Sequence, residues 1–193
     1  MIAIIKYNAG NVQSVLHALQ RMGVDAILTD DPAVISSASR VIVPGVGHAG
    51  SAMAYLRERR LDTLIAGLRQ PVLGICLGLQ LMCRHSEEGN TKCMDIFDTD
   101  IKLFQSPLLK VPQVGWNNIY DYKSSIFNEL EEAAFVYTVH SYYAPLSDAT
   151  IATTDYIIPY SSALQKENFY AVQFHPEKSG DVGETILKNF ISI

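Results

Sequence analysis

Short apolar runs alternate with amphipathic stretches through the first half of the chain. Uninterrupted apolar runs are typical of parallel strands buried on both faces, whereas apolar residues spaced three and four apart indicate helices. Asp31 and Pro32 form a typical helix start, a capping side chain followed by proline at the first helical position. The pattern predicts strands at 2–7, 25–29, 40–43 and 72–75, and helices at 11–22, from 31 onward and at 49–60.

The second half of the chain has a different pattern, with alternating, β-branched and aromatic positions. It predicts strands at 95–104, 111–120, 134–143, 151–158 and 169–174, several of them antiparallel, and a closing helix at 182–190. Because no repeat, linker or shift in composition interrupts the chain, we expect one domain over residues 1–193. The fold class is therefore expected to be α/β, with a central, mostly parallel sheet flanked by helices and added antiparallel strands in the C-terminal half.

Composition narrows the class of protein. Hydrophobic residues make up 48% of the chain and charged residues 18%, and a net charge of -5 gives no reason to expect nucleic acid or a membrane surface as partner. The N-terminal sequence does not resemble a signal peptide, and no apolar stretch approaches the ~18–20 residues that span a bilayer. Three cysteines do not form a disulfide framework. We expect a cytoplasmic protein.

A cysteine stands between two glycines directly after the predicted strand 72–75. Cys76 has Gly74 two positions before it and Gly78 two positions after it, followed by a helical pattern. Small residues at these positions are what a nucleophile needs at a sharp strand-to-helix turn, as in the nucleophile elbow of hydrolases. The helix that begins at Leu77 directs its positive end at the sulfur and favours thiolate. This pattern predicts an enzyme that attacks a carbonyl.

Such a cysteine needs a histidine base, and His175 is the best candidate. It ends the strand predicted at 169–174, Pro176 stops that strand, and Glu177 is placed to orient the imidazole. His17, within a helix, and His85, near the end of the helix after Cys76, are expected to be structural. The competing interpretation of the His-Pro-Glu sequence is a polar turn at a strand end.

The glycine-rich turn Pro44-Gly45-Val46-Gly47 is a candidate source of an oxyanion-hole donor, together with the N–H of Leu77. Residues 45–50 also match the dinucleotide fingerprint G-x-G-x-x-G. The match is not in the first strand–helix turn, and no acidic residue follows at the expected distance. Cys83 and Cys93 lack the spacing of metal ligands. We expect neither a cofactor nor a metal.

Residues 74–80 together with 175–177 resemble the class I, triad-type glutamine amidotransferases, whose fold is flavodoxin-like. The resemblance covers essentially the whole chain. It implies that Cys76 attacks the side-chain amide of L-glutamine and forms a γ-glutamyl thioester. His175 would protonate the departing ammonia and then activate water, while Glu177 holds its tautomer.

The resemblance also implies roles around this triad. Val46 and Leu77 would supply the oxyanion N–H groups. The positions that match substrate-contacting residues of the family are Gly47, Gln80, Ser141 and Tyr142.

Further features resemble one group within the family, the glutaminase subunits that form a heterodimer with a (β/α)₈-barrel cyclase and pass ammonia to it. These features are the turn 44–47, Gly115-Trp116-Asn117, His140-Ser141-Tyr142 and Lys178-Ser179. Asn11, Trp116 and Lys178 match positions near the interface with that partner. Their alternative roles are a helix cap, a packed aromatic and a solvated lysine.

The sequence leaves two other interpretations open. Amidotransferases of the anthranilate or aminodeoxychorismate type carry histidine where this chain has Leu79, and they lack the Gly-Trp-Asn motif. A non-catalytic binding subunit of the same fold would have no reason to retain all three triad groups. Gln113 and Val114 replace the usual His-Met of the barrel-docking group, which leaves details of the interface open.

Overall fold

A computed structural model describes residues 1–7 and 9–193 of the chain. The helices are α1 (Val12–Arg21), α2 (Pro32–Ser37), α3 (Ala49–Glu58), α4 (Leu61–Ala66), α5 (Leu77–Met82) and α6 (Gly180–Ser192). The strands are β1 (Ile2–Ile5), β2 (Ala26–Thr29), β3 (Arg40–Val43), β4 (Val72–Ile75), β5 (Cys83–Ser86), β6 (Thr91–Lys92), β7 (Phe97–Leu103), β8 (Gln113–Asn118), β9 (Phe135–His140), β10 (Tyr142–Tyr143), β11 (Thr150–Tyr156), β12 (Ile158–Lys166) and β13 (Phe169–Val172). Short 3-10 helices lie at Glu88–Asn90, Ser125–Phe127 and Pro176–Lys178.

The central sheet has the strand order β11-β12-β13-β4-β3-β1-β2. Strands β13, β4, β3, β1 and β2 run parallel, and β12 and β11 extend the β13 edge in antiparallel pairs. Strands β1 and β4 are buried along their whole length, as expected for apolar runs covered on both faces. The predicted α/β architecture, with its antiparallel additions in the C-terminal half, is therefore confirmed.

Helices cover both faces of this sheet. On one face α1 and α6 bury Leu19 and Phe190, and on the other α3 and α4 bury Met53 and Ile65. Because the five central strands run parallel, their carboxyl ends lie at one common edge of the sheet. In open α/β sheets this edge is where ligands bind, and the candidate site lies there.

Strand β12 is the clearest difference from the sequence pattern, which predicts no strand between 158 and 169. Pro159 and the neighbouring Ser161 and Ser162 interrupt its apolar character. In the structure both serine side chains are buried and bonded across the sheet, Ser161 Oγ lying 2.7 Å from Thr150 Oγ1 and Ser162 Oγ donating to Thr154 Oγ1. Hydroxyl groups that bond to one another are compatible with a buried strand.

Two predicted helices are too long. The helix expected at 49–60 ends at Glu58, and a second helix, α4, follows Arg60, whose φ of 56° breaks the first one. The prediction that His85 lies near the end of the helix after Cys76 is wrong, because α5 ends at Met82 and His85 lies in β5. Strand β5 has exposed Arg84 and half-buried His85 between its buried ends, so its hydrophobic pattern does not separate it from a continuation of the helix.

The remaining strands form two smaller sheets. One has the order β10-β7-β5-β6, and the other is a two-stranded antiparallel ribbon of β8 and β9, the β8–β9 ribbon. Among residues 1–7 and 9–193, none of the helices combines the length and apolar character needed to cross a membrane.

Candidate active site

Cys76 lies at a strained turn between β4 and α5. Its φ of 52° and ψ of -104° are rare for a residue with a side chain, and its N–H donates to Val172 O at 2.8 Å. A Cβ atom on Gly78 would lie 1.9 Å from Val43 O, so α5 could not pack against β3 with any other residue there. The glycines around Cys76 are therefore required by backbone contacts, as the sequence predicts.

His175 reaches the same place from the neighbouring strand. Strands β4 and β13 are parallel partners, with Ile75 opposite Val172, so both chains leave the sheet side by side. The His175 and Glu177 side chains are fully buried, with Nδ1 2.8 Å from Glu177 Oε1. Since a carboxylate accepts, Nδ1 carries a hydrogen and Nε2 is the atom left for chemistry.

The charge of His175 is set by its two neighbours. Burial alone would lower the pKa of His175, but the hydrogen bonds and negative charge of Cys76 and Glu177 outweigh it and raise the pKa to about 10. Nε2 makes no hydrogen bond of full geometry within the described part of the chain. The site therefore favours a protonated His175, with Nε2 available to transfer its proton.

Asn11 contacts the Cys76–His175–Glu177 group. Its side-chain Nδ2 donates to Glu177 Oε1 and lies 3.5 Å from His175 Nδ1. The residue precedes α1 with a φ of 66°, a left-handed conformation that asparagine tolerates. Asn11 is half-buried, and its place near a partner interface stays a prediction.

The predicted oxyanion donors are both engaged elsewhere. Leu77 N–H donates to Gly45 O at 3.2 Å, and Val46 N–H donates to Gly10 O at 3.3 Å. Gly10 N–H returns a bond to Val46 O at 2.9 Å. Neither N–H is therefore free to face the sulfur in this conformation, and the role of Val46 and Leu77 as oxyanion donors stays a prediction.

One peptide unit accounts for both engagements. The bond between Gly45 and Val46 presents its carbonyl to Leu77 and its N–H to Gly10, so turning this peptide over would free one predicted donor and redirect the other. Gly45 has a φ of 152°, and Gly47 a φ of 144°, which only glycine adopts readily. Tyr7 Oη donates to Pro44 O and anchors the start of the turn.

A cavity of about 250 Å³ opens next to Cys76. The residues predicted to contact substrate all line it, namely Gly47, Gln80, Ser141 and Tyr142. Gln80 is buried, and its Nε2 donates to Tyr142 O and to Gln173 Oε1, each at 3.2 Å. The structure thus brings the predicted substrate residues together around the sulfur.

Glu88 is a lining residue that the sequence does not point to. It is the carboxylate among the residues lining this cavity, and its Oε2 accepts the Ala49 N–H at 2.6 Å. It lies in a short 3-10 helix after β5, in a segment without a recognisable motif. No local signal could have identified it, because only the fold of β5 brings it to the cavity.

The model of the family described as "Glutamine amidotransferase class-I" matches residues 3–193. The chain is a class-I glutamine amidotransferase. Its relatives place it among the HisH subunits. This amidotransferase is 57% identical over 194 residues to "Imidazole glycerol phosphate synthase subunit HisH" of Bacteroides fragilis strain YCH46, with 100% of the chain and 99% of the relative covered. It is 42% identical to the HisH subunit of Escherichia coli K12, with the same coverage of 100% and 99%.

Solved structures of other amidotransferases share the fold. The crystal structure of a putative GMP synthase protein from Thermoplasma acidophilum has a TM-score of 0.76 at 19% identity, with 100% of this chain and 92% of that one covered. A second crystal structure, of a glutamine amidotransferase, has a TM-score of 0.77 at 13% identity, covering 100% and 98%. At these identities the likeness concerns the fold alone.

The other predicted residues of the amidotransferase lie away from the sulfur. Trp116 is 58% exposed on the β8–β9 ribbon, which also exposes Val114 and Phe135, and Lys178 is exposed beside the Glu177 turn. Cys83 and Cys93 are buried thiols, and burial raises the pKa of both. In the part of the chain that the structure describes, no group of three or more side chains has a metal-binding arrangement.

Proposed function

We propose that this amidotransferase is the glutaminase subunit of an imidazole glycerol phosphate synthase and acts in L-histidine biosynthesis. The observation that carries the proposal is the placement of Cys76 and His175 at the ends of two hydrogen-bonded parallel strands, with Glu177 on the histidine. The 57% identity to a HisH subunit over the full chain supports the choice of synthase.

The three side chains perform a two-step hydrolysis. The Cys76 thiolate attacks the side-chain carbonyl carbon of L-glutamine, and collapse of the tetrahedral intermediate breaks the C–N bond as His175 gives its Nε2 proton to the departing ammonia. The γ-glutamyl thioester that remains is attacked by a water from which His175 takes a proton. Glutamate leaves, the thiolate is restored, and Glu177 keeps the imidazole in place in both steps.

Stabilisation of the tetrahedral oxyanion requires the turn at 44–47 to change. After the Gly45–Val46 peptide turns over, the N–H groups of Val46 and Leu77 point to the place where the oxyanion forms. In the conformation described, the Gly45 carbonyl occupies the Leu77 N–H. The resting subunit therefore binds glutamine in a site that lacks its oxyanion hole.

The cavity supplies complementary groups for the rest of the substrate. In this proposal Gln80, Ser141 and Tyr142 contact the amino-acid end of glutamine. Gly47 lies beside the path by which the glutamine side chain approaches Cys76. Glu88 adds a negative charge for the α-ammonium group. This arrangement requires no cofactor or metal.

The ammonia is consumed by a partner, which we take to be a (β/α)₈-barrel cyclase subunit (HisF-type) in a cytoplasmic heterodimer. The barrel makes imidazole glycerol phosphate and an aminoimidazole carboxamide nucleotide (AICAR) from the ammonia and a phosphoribulosyl nucleotide. Exposed Val114, Trp116 and Phe135 give the β8–β9 ribbon an apolar surface of the kind that partner interfaces have. Exposed Lys178, directly after Glu177, adds a positive charge for a partner to contact.

The test is synthesis by the mixed subunits with either nitrogen source. We expect Cys76→Ala to abolish glutamine-dependent formation of imidazole glycerol phosphate while ammonia-dependent formation continues at the wild-type rate. Hydrolysis of glutamine by the variant would show that Cys76 is not the nucleophile. Co-purification of the wild-type chain with a chorismate-using enzyme, rather than a barrel cyclase, would overturn the choice of synthase.

A further inference from the structure

Gln173 is a buried polar residue that has no part in the triad mechanism. It directly follows β13 within the apolar run from Tyr170 to Phe174, and it is 1% exposed. Its backbone N–H is already bonded to Ser162 O at 2.8 Å. A primary amide at such a depth needs partners for both its oxygen and its nitrogen, so its contacts define what it does.

The orientation of this amide follows from a backbone carbonyl at the far end of the network. Tyr142 O can only accept, so the Gln80 atom 3.2 Å from it is the nitrogen Nε2. The same Nε2 lies 3.2 Å from the Gln173 amide, which must present its oxygen there. The nitrogen of Gln173 therefore faces the other way, and it lies 3.6 Å from Cys76 Sγ.

We propose that Gln173 is a further catalytic residue of this site, whose side-chain amide donates a hydrogen bond to the Cys76 sulfur and stabilises it as thiolate. The proposal rests on the proposed function in that the sulfur is taken to be the nucleophile. Val139 O, 3.9 Å from the sulfur, provides the acceptor that a neutral thiol would use, so the two charge states have separate partners.

Stabilisation of the thiolate serves two steps of the reaction. It increases the fraction of Cys76 that is ready to attack, and it stabilises the same thiolate as the leaving group when the thioester is hydrolysed. Gln80, which we expect to contact the substrate, also fixes the orientation of the Gln173 amide. Through this amide Gln80 affects the protonation state of the Cys76 sulfur.

The test measures alkylation of Cys76 by iodoacetamide against pH in the full chain without glutamine, followed on the Cys76 peptide by mass spectrometry. We expect Gln173→Met, which keeps the length but removes the donor, to move the alkylation midpoint up by about one pH unit and to react roughly tenfold more slowly at a pH below both midpoints. Well above both midpoints the variant should react at least as fast as the wild type, since a less stabilised thiolate is more nucleophilic. Gln165→Met, on β12, is the matched control and should follow the wild-type profile.

A second variant tests the orientation argument. Gln80→Met removes the nitrogen that holds Gln173 Oε1 and adds no charge, so the Gln173 amide should lose the orientation that points its nitrogen at the sulfur. We expect the alkylation midpoint of Cys76 to rise as in Gln173→Met, although the recorded hydrogen bond between Gln80 and Cys76 joins only backbone atoms, Gln80 N–H donating to Cys76 O at 3.3 Å. A residue that only fills space would not produce this result.

The outcomes separate this inference from the proposed function. If the wild type with its barrel partner hydrolyses glutamine through Cys76 and neither variant shifts the alkylation midpoint, the role of Gln173 is wrong and the function stands. A uniform change of rate at every pH would indicate altered access to the sulfur and would also overturn the inference. If Cys76→Ala retains glutaminase activity, the proposed function fails whatever the alkylation profiles show.

Discussion

The proposed mechanism requires the turn at residues 44–47 to change before glutamine is hydrolysed, and the structure allows the free energy of that change to be worked out. Turning over the Gly45–Val46 peptide breaks Leu77 N–H to Gly45 O, at 3.2 Å, and Val46 N–H to Gly10 O, at 3.3 Å. With a net value of about 1 kcal/mol for each backbone bond, their loss costs about 2 kcal/mol.

Strain at Val46 adds to this amount. A peptide turns over by rotating ψ of the residue before it and φ of the residue after it together, by about 180° each. Val46 now has a negative φ, so the rotation takes this β-branched residue towards positive φ, at about 1–2 kcal/mol. The total of about 3–4 kcal/mol leaves the flipped form at roughly 0.1–1% of the isolated subunit.

Val46→Gly removes the strain and keeps both hydrogen bonds. We therefore expect the isolated variant to hydrolyse glutamine roughly tenfold faster than the isolated wild type, because about 1–2 kcal/mol corresponds to about that factor. Glutamate release at saturating glutamine, measured by coupling to a dehydrogenase, gives kcat directly. With the barrel partner bound, the two proteins should have similar kcat, since docking already supplies this free energy.

Val46→Ala is the matched control. It removes the branched side chain but keeps a Cβ atom, so most of the strain at positive φ remains and the increase should be much smaller. Equal activation by alanine and glycine would show that side-chain packing, not backbone strain, restrains the turn. An unchanged rate in Val46→Gly would refute the flip as the limiting step of the isolated subunit.

Two further predictions concern stability. Gly78→Ala should lower the free energy of unfolding by about 3 kcal/mol or more in urea titrations, because its Cβ would lie 1.9 Å from Val43 O, a backbone atom that cannot move aside. The control is Gly67→Ala, which should lose much less, because its Cβ would come no nearer than 3.5 Å to another atom. Burial, with a smaller effect from the charge of His175, lowers the pKa of His140 to about 4 from its ordinary 6.5, so the neutral ring contributes stability above pH 6.5 that is lost as the pH falls towards 4. The stability difference between wild type and His140→Gln should shrink by about 3 kcal/mol across that window, and a difference that stays constant with pH would contradict the assignment.

Much of the fold follows from local pattern. Strands such as β1 and β4 are uninterrupted apolar runs, and Gly74 and Gly78 mark the turn that carries Cys76 because no larger residue fits there. The end of the extended segment at His175 is marked by Pro176. In these segments the residues that determine the local structure lie within a few positions of it in the sequence.

What could not be predicted depends on bonds between distant segments. Ser161 and Ser162 look unsuited to a buried strand until Thr150 and Thr154 are seen opposite them. Gln173 and Glu88 become site residues only through the folding of β13 and β5 around the cavity. The occupied Leu77 N–H likewise depends on a peptide that lies two helices and one strand earlier in the chain.

The β8–β9 ribbon is a separate sheet, with its own ladder from Gln113–His140 to Asn118–Phe135. The paired strands β4 and β13, which deliver Cys76 and His175, lie in the middle of the large sheet and do not share that ladder. Strand β9 nevertheless touches both groups, because Val139 O lies 3.9 Å from Cys76 Sγ and Tyr137 O accepts the His175 N–H at 2.9 Å. A partner that displaces β9 from its exposed side would therefore move the surroundings of the sulfur and the imidazole while the large sheet stays in place.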